Sequence, residues 1–150
     1  MEALIIFFVL MGVGYTAGTF AEKRHYRSIH AREQALLHLP AVTTRTSHYP
    51  DAQIESADLV LGSTVISVDY FKQFVAVLRK IFGGTVRSYE TLLDRARREA
   101  VLRMKEVAGD AVVIVNVRIE AAPIGKKARK GNVSCVEAVA YGTALWLKPR

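Results

Sequence analysis

The stretch DAVVIVNVRIEAAPIGKKARKGNVSCVEAVAYGTALWL, Asp110 to Leu147, decides the fold. Its first third, Asp110–Ala121, is apolar on both faces and then alternates, the pattern of a central strand. PIGKKARKGN follows as a basic turn with a glycine near each end. Asn132–Leu147 alternates again and reads as the returning strand, giving an antiparallel hairpin. Upstream, Leu59–Ser67 (LVLGSTVIS) is rich in β-formers, and Gly62 inside it marks a bulge or a close backbone approach. Val42–Thr46 (VTTRT) reads as a further short strand.

Two helical segments separate these strands. In Asp69–Phe82, Phe71, Phe74, Val75, Leu78, Ile81 and Phe82 recur at helical spacing behind Asp69 as N-cap. That aromatic stripe reads as core or subunit contact, because its period alone accounts for it. Gly83-Gly84 then turns the chain. No G-x-x-x-x-G-K-[ST] pattern accompanies the pair, so it reads as a corner and not as a phosphate loop. A second helix starts near Ser88, a good N-cap, with Glu90 in its first turn beside the positive end of the helix dipole. Tyr89, Leu92 or Leu93, Ala96, Ala100, Met104 and Val107 form its expected inner stripe. Arg95, Arg97, Arg98, Glu99, Arg103, Lys105 and Glu106 are expected mostly outside, and Gly109 ends it. The whole predicts an α+β layer, an antiparallel or mixed small sheet with two helices on one face.

The amino terminus is different in kind. Residues 3–21 carry no charge, and at 1.5 Å per residue they span about 28 Å, close to a bilayer's hydrocarbon thickness. A cleaved signal peptide would carry positive charge before the apolar run; here Lys23, Arg24 and Arg27 follow it. This predicts an uncleaved single-pass anchor in the inner (cytoplasmic) membrane, with the rest of the chain on the cytoplasmic side. Gly14 and Gly18 form a GxxxG, a spacing that lets membrane helices approach closely. Glu22–Leu39 reads as a juxtamembrane helix or stalk stopped by Pro40. The chain thus divides into an anchor (1–21), a stalk (22–40) and a domain (41–150).

The 150 residues carry a net charge of +7, and residues 1–40 hold only four basic and three acidic side chains, so +6 belongs to the domain. That balance points to a solvated surface or to an anionic partner. Lys126, Lys127, Arg129 and Lys130 are the candidate contacts to anionic lipid. Nucleic acid is disfavoured because the basic turn lacks aromatics for stacking. Cys135 is the lone cysteine, which excludes an intrachain disulfide. It reads as a small core residue, with a soft-metal role as the alternative should several copies meet near an axis. His25, His30, His38 and His48 do not repeat the i, i+4 spacing of a helical metal pair. The domain holds no nucleophile–base pair at telling spacing, so an enzyme is the weakest class and no catalytic residue is assigned.

Taken in order, Thr43-Thr44, LVLG ending at Gly62, DYFKQFVAVLRKIFGG, SYE with LLDRARREA, DAVV and YGTA resemble the YbjQ-like family, often described as heavy-metal-binding. The resemblance covers Val42–Leu147, and the anchor lies outside it. It implies a ring-forming subunit, reported for the family as a pentamer, with self-association as the main partner and no established reaction. It carries Gly62, Gly83, Gly84, Ser88, Tyr89, Glu90, Arg97 and Gly142 over as signature positions for ligand or interface, with a metal ion as the cofactor it suggests. The reading is a membrane-tethered oligomeric binding or assembly module. Heavy-metal binding is its first alternative, and anionic-lipid or nucleic-acid binding its second.

Overall fold

A computed structural model describes residues 1–67, 88–124 and 135–149. Among these the chain forms a small α+β fold: α1 (Glu2–Ala35), a 3-10 turn (Asp51–Gln53), β1 (Ile54–Ser67), α2 (Ser88–Ala108), β2 (Val113–Ile124) and β3 (Cys135–Leu147). The three strands make one antiparallel sheet in the order β1-β3-β2. The hairpin expected of Asp110–Leu147 is present. Its returning strand, β3, and not β2 as expected, is central. The start of β2 is nonetheless paired along both edges. Its other edge is covered by residues 40–44, with Ile114 N–H donating to Pro40 O at 2.9 Å, Val117 N–H to Val42 O at 3.0 Å and Asn116 N–H to Thr44 O at 2.7 Å. The expected Val42–Thr46 strand is therefore only a parallel bridge, Ala41 to Ile114, that makes the pairing locally mixed. Beyond Val117 no described residue pairs with that edge, and most of the remaining β2 side chains are exposed.

That change coincides with a β-bulge. Val115 faces Thr143 and Arg118 faces Tyr141, so Asn116 and Val117 together oppose Gly142. Asn116 has φ of 53°, a left-handed conformation that asparagine tolerates better than most side chains. The extra residue sends Ile114 and Val117 to the same, α2-covered core, while Val113 and Val115 join Leu145 on the opposite face.

Helix α2 lies across the sheet on a platform of small residues. Val60, Gly62, Thr64 and Ile66 of β1 and Val136, Ala138, Ala140 and Gly142 of β3 are buried beneath it. Ala96, Ala100 and Met104 meet them from the helix, all 0% exposed. A Cβ built at Gly62 would stand 2.3 Å from both Ala100 O and Met104 N, so the close backbone approach expected there is realised. The carboxyl end of α2 sits over the Leu145 end of the sheet: Val112 N–H donates to Leu145 O at 2.9 Å, and Trp146 Nε1 to Asp110 Oδ1 at 3.1 Å. Gly109, at φ 57°, closes the helix as expected. The expected inner stripe of α2 differs at Val107, which is exposed. Leu102 and Glu99 are buried in its place. The helix expected over Asp69–Phe82 and the Gly83-Gly84 corner lie outside the described residues.

Helix α1 is a single uninterrupted element from the apolar segment into the expected stalk. It ends at Ala35, four residues before Leu39, which is wholly buried in the core. Its half of polar sequence rests on the outer side of α2, so sheet, α2 and the end of α1 form three successive layers.

Candidate functional site

Two features of this layering are candidates for a functional surface: the seam between α1 and α2, and the sheet face that α2 does not cover.

The seam follows a seven-residue pattern on α1, with His25, Ile29, Arg32 and Leu36 turned toward the domain and Ile29 fully buried. The helices run parallel. Tyr26 Oη donates to Thr91 O at 3.3 Å, Arg98 Nε to Glu33 Oε1 at 2.7 Å, and Lys105 Nζ to Leu36 O at 3.2 Å. At the centre is Glu99, buried although its charge suggested an outward position. Arg32 Nη2 donates to its Oε2 and Arg103 Nε to its Oε1 at 3.0 Å. Arg32 also reaches Glu106 Oε1 at 3.1 Å, and Arg103 Nη1 donates to Ser63 O at 2.8 Å. Glu99 thus links α1 to β1 through two arginines.

Burial pushes the Glu99 carboxyl up, but the hydrogen bonds from Arg32 and Arg103 outweigh it and hold it below the usual range. Glu33 is held low chiefly by its bonds from Arg98. His25 lies 3.7 Å from Glu99, yet its pKa is lowered: burial and then Arg95 oppose protonation more strongly than Glu99 favours it. It is therefore a neutral imidazole near pH 7, not an ion-pair partner. The signal for this seam was present in the sequence, in the shared period of His25, Ile29, Arg32 and Leu36 and in the i, i+4 pair Glu99–Arg103. Nothing in one sequence, however, joined the two helices.

The open sheet face carries Leu59, Leu61 and Val65 of β1, at 71%, 50% and 60% exposure, beside Val139 and Tyr141 of β3. A shallow hollow of about 440 Å3 lies next to them, lined by Glu120, Ala122, Glu137, Val139 and Tyr141. Tyr141 Oη donates to Glu120 Oε1 at 3.3 Å. Cys135 lies on this same face and is half-buried, its Sγ donating to Ile124 O at 3.2 Å.

The signature positions fall in three groups. Gly62 is the contact for α2, and Gly142 faces the bulge, where a Cβ would stand 2.8 Å from Ile114 Cγ2. Glu90 and Arg97 are exposed on α2, and neither enters an ion pair with the other described residues. Ser88 and Tyr89 open α2. Gly83, Gly84, Lys126, Lys127, Arg129 and Lys130 lie outside the described residues. The structure does not bring the signature together into one pocket.

A metal requires converging donors. Among the described residues no three His, Cys, Asp or Glu side chains converge, and the Cys135 thiol is spent on a backbone carbonyl. His30 is 3.5 Å from Glu33, and His38 Nδ1 is 2.9 Å from Ala35 O. The described donors of a single chain do not fit a metal ion.

Among the described residues the chain is a small α+β domain with one helix laid across a three-stranded antiparallel sheet. Residues 41–148 match the YbjQ_1 family, described as “Putative heavy-metal-binding”, and the chain belongs to that family. Similar proteins include the UPF0145 proteins of Hahella chejuensis, 37% identical over 61% of this chain and 84% of the relative, and of Clostridium novyi, 30% identical over 69% and 96%. A protein of unknown function from Pediococcus pentosaceus, of the DUF74 family, superposes with a TM-score of 0.48 at 12% identity, covering 73% of this chain and 98% of that one.

Proposed function

We propose that this protein is a membrane-tethered, self-associating module on the cytoplasmic side of the inner membrane, built to bind or assemble and not to catalyse. The observation that carries the reading is α1. It is long and apolar enough to be a membrane span, with none of its apolar window buried, and the same helix continues without a break into the Glu99 seam. A flexible tether would let the domain tumble; a continuous helix fixed by Arg32 and Glu33 holds it at one orientation beside the bilayer. Lys23, Arg24 and Arg27 support the cytoplasmic side.

The open face of Leu59, Leu61 and Val65 suits a second copy, since three branched aliphatics exposed on one face of one strand are costly in water. The family resemblance implies that the copies close into a ring of five. Mass measurement in mild detergent tests the assembly, with Leu61→Asp as the variant. The expected result is an oligomer that the variant reduces to monomer; a monomeric wild type overturns it. Protection of the domain from protease in intact spheroplasts, and its loss on lysis, tests the side.

A second reading, contact of the basic turn with anionic lipid, has one observation in its favour. The carboxyl end of α2 lies at the Leu145 end of the sheet, so its amino end points toward Ile124 and Cys135. Because α1 runs parallel to α2, its apolar segment leaves from that same end. The two residues that flank the basic turn are therefore on the bilayer side, where each basic residue adds about 1 kcal/mol of attraction. Vesicle binding by the chain lacking residues 1–21 should rise with phosphatidylserine content and fall with salt; salt-independent binding discards it.

A further inference from the structure

At the end of the sheet far from the α1 exit, the open face is not bare. The segment running from Arg45 to Asp51 crosses it and leaves a groove of about 470 Å3. Its floor is aliphatic: Ile54, Val115 and Leu145. Its walls are polar: Arg45, Tyr49, Asp51, Asn116 and Thr143. The segment is fixed at both ends, by Asn116 N–H on Thr44 O at 2.7 Å and by Lys148 N–H on Gln53 O at 3.0 Å. A turn inside it is closed by Ser47 Oγ donating to Tyr49 O at 2.8 Å. The groove is thus part of the folded framework.

Two facts make it more than a surface irregularity. First, the bulge that brings Asn116 to the wall holds a non-glycine residue at φ 53°, and such strain costs on the order of 1 kcal/mol. A glycine would relieve it and would remove the amide from the groove. Second, the groove contains one guanidinium and one carboxylate, and neither makes an ion pair or hydrogen bond among the described residues. They do not neutralise one another. A purely anionic ligand would meet Asp51, and a purely cationic one would meet Arg45.

The geometry points to a small zwitterion with an aliphatic body, of the amino-acid kind, as the ligand of this groove. Its carboxylate pairs with Arg45 in the two-bond geometry that guanidinium favours. Its ammonium group pairs with Asp51. The side chain lies on Ile54, Val115 and Leu145, and the hydroxyl and amide groups of the wall complete its hydrogen bonds.

The test uses the full chain in detergent micelles and three probes of one shape: leucine, leucinamide and N-acetyl-leucine, titrated calorimetrically. Leucine should bind saturably and more tightly than either single-charge probe by roughly tenfold to a hundredfold, as expected for one charged hydrogen-bonding pair. Arg45→Ala should lower leucine affinity to that of leucinamide for the wild type, and Asp51→Ala to that of N-acetyl-leucine. Both residues are exposed and outside the core, so an unchanged circular dichroism spectrum and melting curve should accompany each loss. Asn116→Gly should keep the fold and weaken all three probes together. Equal affinity for the three probes, unchanged leucine binding in both charge variants, or no leucine binding tighter than roughly 10 mM overturns the inference.

Discussion

Replacing Gly62 by alanine should be among the most damaging single-methyl changes in this chain. The added Cβ would stand 2.3 Å from Ala100 O and 2.3 Å from Met104 N, and 2.9 Å from Arg103 C. All three are backbone atoms of one helix, so no side chain can rotate away. An ordinary contact needs about 3.5 Å, so α2 must lift by roughly 1 Å. A gap of that size forfeits about a quarter to a half of the dispersion energy of facing atoms. The faces involved include Leu92, Ala96, Ala100 and Met104 above, and Val60, Ile66, Ala138 and Ala140 below. Overpacking usually costs about 1–3 kcal/mol, and a backbone obstacle that cannot rotate away places this case at or above about 3 kcal/mol. For a domain of this size that lowers Tm by roughly 10 °C or more. The control is Gly109→Ala, where nothing lies within 4 Å but φ is +57°. Strain alone should cost it about 1 kcal/mol. Urea unfolding followed by circular dichroism in mild detergent compares the two. If Gly62→Ala is no worse than Gly109→Ala, the helix does not lie on this glycine and the packing argument fails.

Glu99→Ala should destabilise by about 2–4 kcal/mol, because it strands Arg32 and Arg103 without their shared partner; their partial exposure keeps the loss below the full buried-pair value. The same urea measurement checks it, and the loss should be non-additive with Arg32→Ala. Stability should also fall in two steps on acidification. His25, lowered from its ordinary 6.5, is neutral when folded, so the unfolded chain binds the proton first and stability declines as pH drops below about 6.5. His25→Asn should remove that step. Glu99 and Glu33, lowered from their ordinary 4.5, contribute stability that is complete above that value and is lost as pH falls through their folded pKa values. Glu99→Gln should shrink this second step, measured as the acid unfolding midpoint. Arg98→Ala should cost no more than about 1 kcal/mol, since Arg98 and Glu33 are both about a third exposed.

The hairpin, the close approach at Gly62, the end of α2 at Gly109 and the long apolar start of α1 were legible because each rests on local chemistry: period, turn residues or the absence of charge. Strand order was not. The apolar start of β2 has the composition of a strand covered on both sides, and it is covered on both. Its faces are buried in two separate clusters, while its edges are held by β3 and by a segment of irregular chain that pairs through only a few hydrogen bonds. Periodicity cannot distinguish that from a third strand. Glu99 was misplaced for a related reason. Charge predicts exposure only while a helix has one packed side. Here α2 is packed on the sheet by Ala96, Ala100 and Met104 and on α1 by Glu99 and Arg98. A helix packed on two sides makes a buried carboxylate tolerable once two guanidinium groups reach it.

The same double packing bears on how the module would work. Arg103 bonds both Glu99 and Ser63 O, so the seam with α1 is joined to β1, and β1 carries Leu59, Leu61 and Val65 on its other face. In the proposed tethered module, orientation relative to the bilayer and presentation of the open face would therefore be set by one set of contacts. Copies held by parallel membrane helices would present that face at a fixed angle to the membrane normal. That reduces the rotational freedom lost on association, a cost of several kcal/mol for free partners. The chain without residues 1–35 lacks both the proposed anchor and Arg32, so it should associate more weakly than the same chain lacking only residues 1–21, although neither deletion touches the open face. Equal association of the two truncated chains, measured by sedimentation at matched concentration, would show that the seam has no part in assembly.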